Sequence, residues 1–367
     1  MYNNDNRIVI TLDAGGTNFV FGAIQGNKDI IPPFTLPSRA DNLDTCMASL
    51  VEGFTQIISQ LQEKPVAISF AFPGPADYPR GIIGGYLPNF PSFRDGVALG
   101  PFLEKKFGIP VFINNDGDLY AYGEALAGAL PEINQKLQQA GSNKRYRNLI
   151  GYTIGTGFGI GIVIGGHLNL GDNSCVETWC LPNNQSPDFI LEDGVSIRAV
   201  QRVYGDVSGD KKHTFTPKDI YDIAKGDKPG NQQAAIAAFE KMGEIAGYAM
   251  ATTATLIDGL IVIGGGVSAA REFFMPALLR EMRGKIHTMS GDEINRVQMK
   301  VYDLDDDSQF ASFAQGESRE INIYGSTDKV VYDPQKRIGV MTSRIGANRA
   351  ISLGAYAFAL HQIDTKR

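Results

Sequence analysis

Two stretches of this chain repeat one pattern, and the repeat limits the fold more than any other feature. Ile8 to Gly22 reads IVITLDAGGTNFVFG, and Leu149 to Gly166 reads LIGYTIGTGFGIGIVIGG. Each is an apolar run, a glycine turn and a second apolar run. In the first, Ile8, Val9 and Ile10 are β-branched and lead into Asp13, and Phe19, Val20 and Phe21 resume a strand after Gly15, Gly16, Thr17 and Asn18. In the second, the turn is Gly155-Thr156-Gly157. Backbone amides at such a tip can hold phosphate oxygens, and an acid beside it can hold a magnesium-bound water. Two related hairpins imply two similar halves, gripping a polyphosphate from both sides.

The length agrees with two halves: 367 residues exceed one ordinary core. Hydrophobic residues make up 43% and charged residues 20%, a globular balance. The net charge of −6 argues against a nucleic-acid surface. Three cysteines, Cys46, Cys175 and Cys180, make no disulfide framework and fit a reducing compartment. The start MYNNDNR lacks the apolar run of a signal peptide, and no run approaches a membrane span. A cytoplasmic protein without membrane partners is expected.

Between the repeats lie two more strand ends. Val66 to Phe72 is a short apolar strand stopped by Pro73-Gly74-Pro75. Val111-Phe112-Ile113 runs into Asn114-Asn115-Asp116-Gly117-Asp118, where a helix begins. Ligands of α/β sheets gather at the carboxyl ends of strands, so an Asp here suits a general base. It also suits a helix N-cap, although capping explains one Asp and not the whole run. Asn42 to Gln62 has the three-and-four spacing of an amphipathic helix. Ile190 to Tyr204 reads as a helix with Glu192 and Asp193 in its first turn, where the helix dipole favours acids. Glu177 sits among apolar neighbours that include the only Trp, Trp179, which favours a partly buried carboxylate. A long helix from Gln232 to Leu256 carries Gly243, Gly247 and Ala251 for close helix contact. It feeds Leu260–Ile263 and Gly264-Gly265-Gly266, a strand, glycines and a helix start that suit a nucleotide, without the dinucleotide spacing. Residues 301–338 read as an acidic insertion with two strands around Gly325-Ser326, and Ile345 to Leu360 as a small-residue helix.

Taken together, these motifs resemble the ROK family (repressor, open reading frame, kinase) of the superfamily of sugar kinases, actin and heat-shock ATPases. LDAGGTNFVFG is similar to its first phosphate motif, IGTGFGIGIVIGG to its second, and DGLIVIGGGVS to its adenosine motif. PGPADYPRGIIGGYLPNFPSF resembles its Pro-Gly-Pro region, and FINNDGDLYAYGEA its Asn-Asp catalytic segment. The resemblance runs from Ile8 to about Leu360. It implies an α/β, two-domain ribonuclease H-like (actin-like ATPase) fold with a cleft between domains. Residues 1–118 plus about 346–367 would form one domain, and 119–345, with the insertion at 301–338, the other.

The activity so implied is glucokinase-like: ATP-dependent phosphorylation of a hexose or amino-sugar hydroxyl, with ATP and Mg2+ as cofactors. Asp116 would be the general base. Asn89, Asn115, Asp116, Glu177 and Glu192 would contact the sugar. Asp13 would lie near magnesium; Gly15, Gly16, Thr17, Asn18, Gly155, Thr156 and Gly157 would hold phosphates; Gly265 and Gly266 would lie near adenosine. The family's His three residues past the sugar-binding Glu is here Cys180, and its cysteine cluster is replaced by LPNNQSPDF. No structural zinc is therefore expected, and the sugar pocket loses a partner. The family also suggests a homodimer. Its repressor branch carries a helix-turn-helix ahead of the first motif; only seven residues precede Ile8, so none is expected here. The alternative to a kinase is a catalytically silent sugar-binding or regulatory ROK protein without a DNA-binding domain.

Overall fold

The computed structural model describes residues 2–210, 212 and 214–365. The chain divides into two compact units. The first comprises the residues up to Gly128, Gly161–Val176 and the chain from Ile345 on; the second comprises Ala129–Ile160 and Glu177–Arg344.

In the first unit, strand Val9–Ala14 pairs antiparallel with Asn18–Gln25 and parallel with Ala67–Ala71, which pairs parallel with Val111–Asn114. Lys28–Asp29 and Phe34–Pro37 both pair with Asn18–Gln25. The period of two decides the layers. Ile8, Ile10 and Leu12 pack with Leu50, Phe54 and Ile57 of helix Leu43–Gln60 and with Leu99 and Leu103 of helix Leu99–Phe107. Val9 faces the other way, against Leu353, Tyr356 and Leu360 of helix Ala347–Thr365. Ala67–Ala71 is buried along its length, as a parallel strand covered on both faces must be. The small-residue C-terminal helix lies tightly against helix Asp116–Ala127: a Cβ on Gly354 would fall 1.9 Å from Leu119 O, and one on Gly123 1.9 Å from Ala350 O. Helix Asp116–Ala127 belongs wholly to this unit, so the boundary expected at 118 falls inside a helix.

In the second unit, Leu149–Ile154 pairs parallel with Leu260–Gly264, which pairs parallel with Arg337–Thr342, which pairs parallel with Lys300–Asp303. Phe158–Ile164 follows beside Leu149–Ile154 across a three-residue turn, and its residues up to Ile160 belong to this unit. Helix Gln232–Ile257 packs on Arg271–Met282, and Gly243 and Gly247 permit the approach: their Cβ atoms would fall 2.3 Å from Phe274 O and 2.6 Å from Leu278 O. Residues 301–338 are not a single insertion. Lys300–Asp303 and Arg337–Thr342 are strands of the sheet, and between them lie helix Asp307–Gln315 and the exposed hairpin Arg319–Asn322/Lys329–Tyr332. Within the acidic run, Asp306 and Asp307 are exposed, while Asp303 and Asp305 are held by arginines. Asp303 is bonded by Arg271, and Asp305 by Arg271 and Arg344, whose charges offset the cost of burial.

Candidate functional site

Three parallel strands of the first unit stop level. Asp13 is in register with Ala71, and Ala71 with Asn114. Three loops therefore leave one edge of the sheet: the glycine turn after Asp13, the Pro73-Gly74-Pro75 loop and the Asn115-Asp116 segment. The middle loop is tied down by Tyr78, whose hydroxyl donates to Phe72 O at 2.8 Å. Phe72 N–H donates to Asn114 O at 3.0 Å, which joins the second strand end to the third.

Helix Asp116–Ala127 starts at that third loop. Its N-cap is Asn115, whose Oδ1 accepts from Gly117 N–H at 2.8 Å. Asp116 is thus the first helical residue and not the cap, although its Oδ1 also lies 3.0 Å from the same N–H. Asp13 and Asp116 are both reached by solvent while protein atoms crowd around them. The crowding raises both carboxyls above the ordinary carboxylate range; at Asp116 the negative charge of Asp13 adds to it, against the lowering by backbone N–H donors. Asn89 reaches the same edge, since a Cβ on Gly16 would lie 2.9 Å from Asn89 Cβ. The first unit thus gathers Asp13, Gly15, Gly16, Thr17, Asn18, Asn89, Asn115 and Asp116.

Both glycine turns are pinned through their carbonyls. In the first, Gly15 N–H donates to Asn18 O at 3.0 Å, Ser38 N–H donates to Thr17 O at 2.9 Å, and Ser38 Oγ donates to Gly16 O. In the second, Gly155 N–H donates to Gly157 O at 3.0 Å, and Ile197 N–H donates to Gly155 O at 2.9 Å. A trans peptide points its N–H opposite to its C=O. Pinning Gly16 O and Gly155 O to the protein therefore turns the N–H groups of Thr17 and Thr156 away from it, in the sense an anion site needs. Ser38, fully buried, is a positioning residue that sequence reading passes over, because a lone Ser after a strand carries no signal.

The second unit holds the remaining candidates. Gly265 has φ +91°, and a Cβ there would strike Ile154 O at 2.3 Å, so the Gly264–Gly266 turn abuts the strand end that carries Gly155. Gly266 is open, with space around its Cα. From Gly266 the chain makes a 3-10 turn, Gly266–Ala270, before helix Arg271–Met282. Glu177 is half-buried in a loop beside the buried Thr178, while Trp179 faces solvent. Glu192 is not in the first turn of the helix expected there. It lies in a separate 3-10 turn, Leu191–Gly194, and the helix runs Ile197–Ser208 from a Ser196 cap. The Glu192 carboxylate accepts from Phe158 N–H at 3.0 Å and from Arg198 at 2.9 Å.

Cys175 and Cys180 are exposed, and Cys46 is buried, which pushes its thiol up to about 12. Among the described residues, no cluster of three or more His, Cys, Asp or Glu is placed to hold a metal. No helix of the described chain is long and apolar enough to cross a membrane.

The model of the ROK family matches residues 9–309. The chain belongs to the ROK family. Among solved ROK-type structures, the glucokinase of Parabacteroides distasonis is 61% identical, covers 98% of this chain with 99% of its own length, and superposes with a TM-score of 0.91. A glucokinase of Thermotoga maritima is 24% identical over 293 residues, 74% of this chain and 85% of that protein. A xylose repressor of Bacillus spizizenii is 32% identical over 125 residues, where the match spans only 28% of the repressor. The ROK protein described here has the two-domain, actin-like ATPase fold that the family resemblance implied.

Proposed function

We propose that this ROK protein is an ATP-dependent sugar kinase that phosphorylates a hydroxyl of a hexose or amino-sugar. The reading is carried by the level strand ends of the first unit, which put an acid with a raised pKa, Asp116, on the same edge as a pinned glycine turn. It is supported by 61% identity, over nearly the full chain, with a protein known as a glucokinase. Glucose is accordingly the first sugar to test.

In this mechanism Asp116 accepts the proton of the sugar hydroxyl as its oxygen attacks phosphorus. Asn89, Asn115 and Glu177 orient the sugar by pairing its hydroxyls with amide and carboxylate groups. The turns Gly15–Asn18 and Gly155–Gly157 hold the phosphate oxygens, with the N–H groups of Thr17 and Thr156 turned outward for it, and Gly265 and Gly266 leave room for adenosine. Asp13 would hold Mg2+ through water; its solvent-reached carboxylate at the turn fits that role. When bound, the ion supplies the positive charge that phosphoryl transfer needs. Positioning and charge neutralisation, more than covalent help, set the rate.

The test is ADP release over a panel of hexoses and acylated amino-sugars. Asp116→Asn is expected to lower kcat by about 10²- to 10⁴-fold on the preferred sugar. Turnover unchanged in that variant would remove Asp116 as the base. Sugar binding without phosphorylated product, in calorimetry on the intact chain, would overturn the kinase reading.

A further inference from the structure

The segment LPNNQSPDF, which stands in place of the family's cysteine cluster, forms one wall of a cavity. The cavity, about 100 Å³, lies between that segment's hairpin, Pro182–Asn183/Ser186–Ile190, and the helices Ile197–Ser208 and Gln232–Ile257. Each helix turns one face to it. Ala199, Arg202 and Val203 follow three-and-four spacing on the first helix, and Ala238, Lys241, Met242 and Ile245 follow it on the second. Every lining residue belongs to the second unit. The inner end is closed at Gly194, where a Cβ would meet Ile245 Cδ1 at 2.6 Å and Asn183 Nδ2 at 2.7 Å.

The floor is apolar and the rim cationic. Ala199, Ala238, Met242 and Ile245 are buried, whereas Arg202 and Lys241 line the same space and are exposed. One nitrogen of Arg202 is in use, since Nη2 donates to Asp193 O. Among the described residues, nothing pairs with Lys241. The carboxylate of Glu244, one turn further along the helix, is taken up instead by Arg280 at 3.2 Å and by Gln185 Nε2 at 3.2 Å. Two cations thus stand at the mouth of a pocket whose depth offers only side-chain hydrocarbon and the Met242 thioether.

These surroundings select the occupant. An anionic group at the rim meets both cations, but a charged or hydroxylated group pushed to the floor would lose its water without gaining a partner. The volume sets the length of the apolar part. A water's share of liquid volume is about 30 Å³, so the cavity takes a tail of about three carbons. We propose that this cavity binds a small aliphatic monocarboxylate, with its carboxylate on Lys241 and Arg202 and its tail on Ala238, Met242 and Ile245. The site is separate from the one assigned to sugar and nucleotide, and it stands or falls apart from the kinase reading.

The test titrates butyrate into the intact chain and follows the NMR signal of the Met242 methyl, in protein with isotope-labelled methionines and with Met242→Leu to assign the peak. The signal should shift and saturate with a Kd on the order of 1 mM, as suits so small a ligand. Lys241→Gln should weaken butyrate about 5- to 10-fold, and neutral butyramide should bind the wild-type chain about as weakly as butyrate binds the variant. Sugar turnover in Lys241→Gln should match the wild type. An unmoved Met242 signal at about 20 times that Kd would overturn the proposal. Equal binding of butyramide, or an unchanged Kd in Lys241→Gln, would do the same. Inorganic phosphate displacing butyrate at equal concentration would reduce the site to an anion-binding rim and overturn it too. So would displacement by sugar or Mg-AMPPNP, which would assign the cavity to the kinase site. If the chain binds butyrate as expected yet phosphorylates no sugar, the kinase reading fails and this site stands.

Discussion

As the proposed base, Asp116 would act only when ionised, and its surroundings resist that ionisation. Crowding by protein, with the charge of Asp13 added, holds its pKa above the ordinary carboxylate value of 3.8. Two consequences follow from the same shift. The acidic limb of the kcat/KM profile should fall as pH drops through this raised pKa, at higher pH than an ordinary carboxylate would give; a pH–rate series on the wild-type chain checks this. The folded state also binds the Asp116 proton more tightly than the unfolded chain does. That contribution to stability is complete below the unfolded pKa and is lost as pH rises through the folded one. At neutral pH the ionised carboxylate is a net cost to the fold. Asp116→Asn should therefore raise the thermal unfolding temperature at pH 7 while it removes turnover, and no rise at pH 7 would contradict the shift.

Elements place these residues, and their legibility depended on whether the signal was local. Both glycine hairpins, the strand before Pro73 and helix Leu43–Gln60 could be read directly, because period and turn residues lie within one window. The partners that pin the hairpins could not. Ser38 and Ile197 act through backbone groups or a single hydroxyl, which no spacing rule marks. The ion pairs within the acidic run were hidden for a related reason: Arg271 and Arg344, which pair with Asp303 and Asp305, lie more than thirty residues away in sequence. Ser38→Ala should cost about 1 kcal/mol for the lost hydrogen bond. If the first glycine turn holds ATP as proposed and the loss falls wholly on it, the KM for ATP rises about 5-fold. Steady-state kinetics at saturating sugar measure it. Gly123→Ala puts a methyl into the Ala350 carbonyl and should cost about 1–3 kcal/mol, read from the urea midpoint.

At the scale of the whole molecule, each half is made of pieces distant in sequence. The chain passes between units after Gly128, Ile160, Val176 and Arg344. The termini are tied together within the first unit: Arg7 pairs with Asp364 at 2.6 Å, and the Tyr356 hydroxyl accepts Gly26 N–H at 2.9 Å. A chain ending at Arg344 would lose Leu353, Tyr356, Ala359 and Leu360 from the core around Val9. Hydrogen exchange on that truncated chain should show strand Val9–Ala14 unprotected, while Leu149–Ile154 and Leu260–Gly264 stay protected. Uniform loss of protection would mean that the units do not fold independently.

The late arrival of helix Ala347–Thr365 also gives the protein an order of birth. The ribosome delivers the strands of the first unit early and the helix that seals one of their faces last. At usual synthesis rates the residues between Gly128 and Ile345 take on the order of 10 to 40 s to appear. For that time the side of the first sheet carrying Val9 and Ala67 waits for its cover. The second unit, whose pieces end at Arg344, can close before the first is complete. The nascent chain is thus most exposed to chaperones and to misassembly at its own beginning.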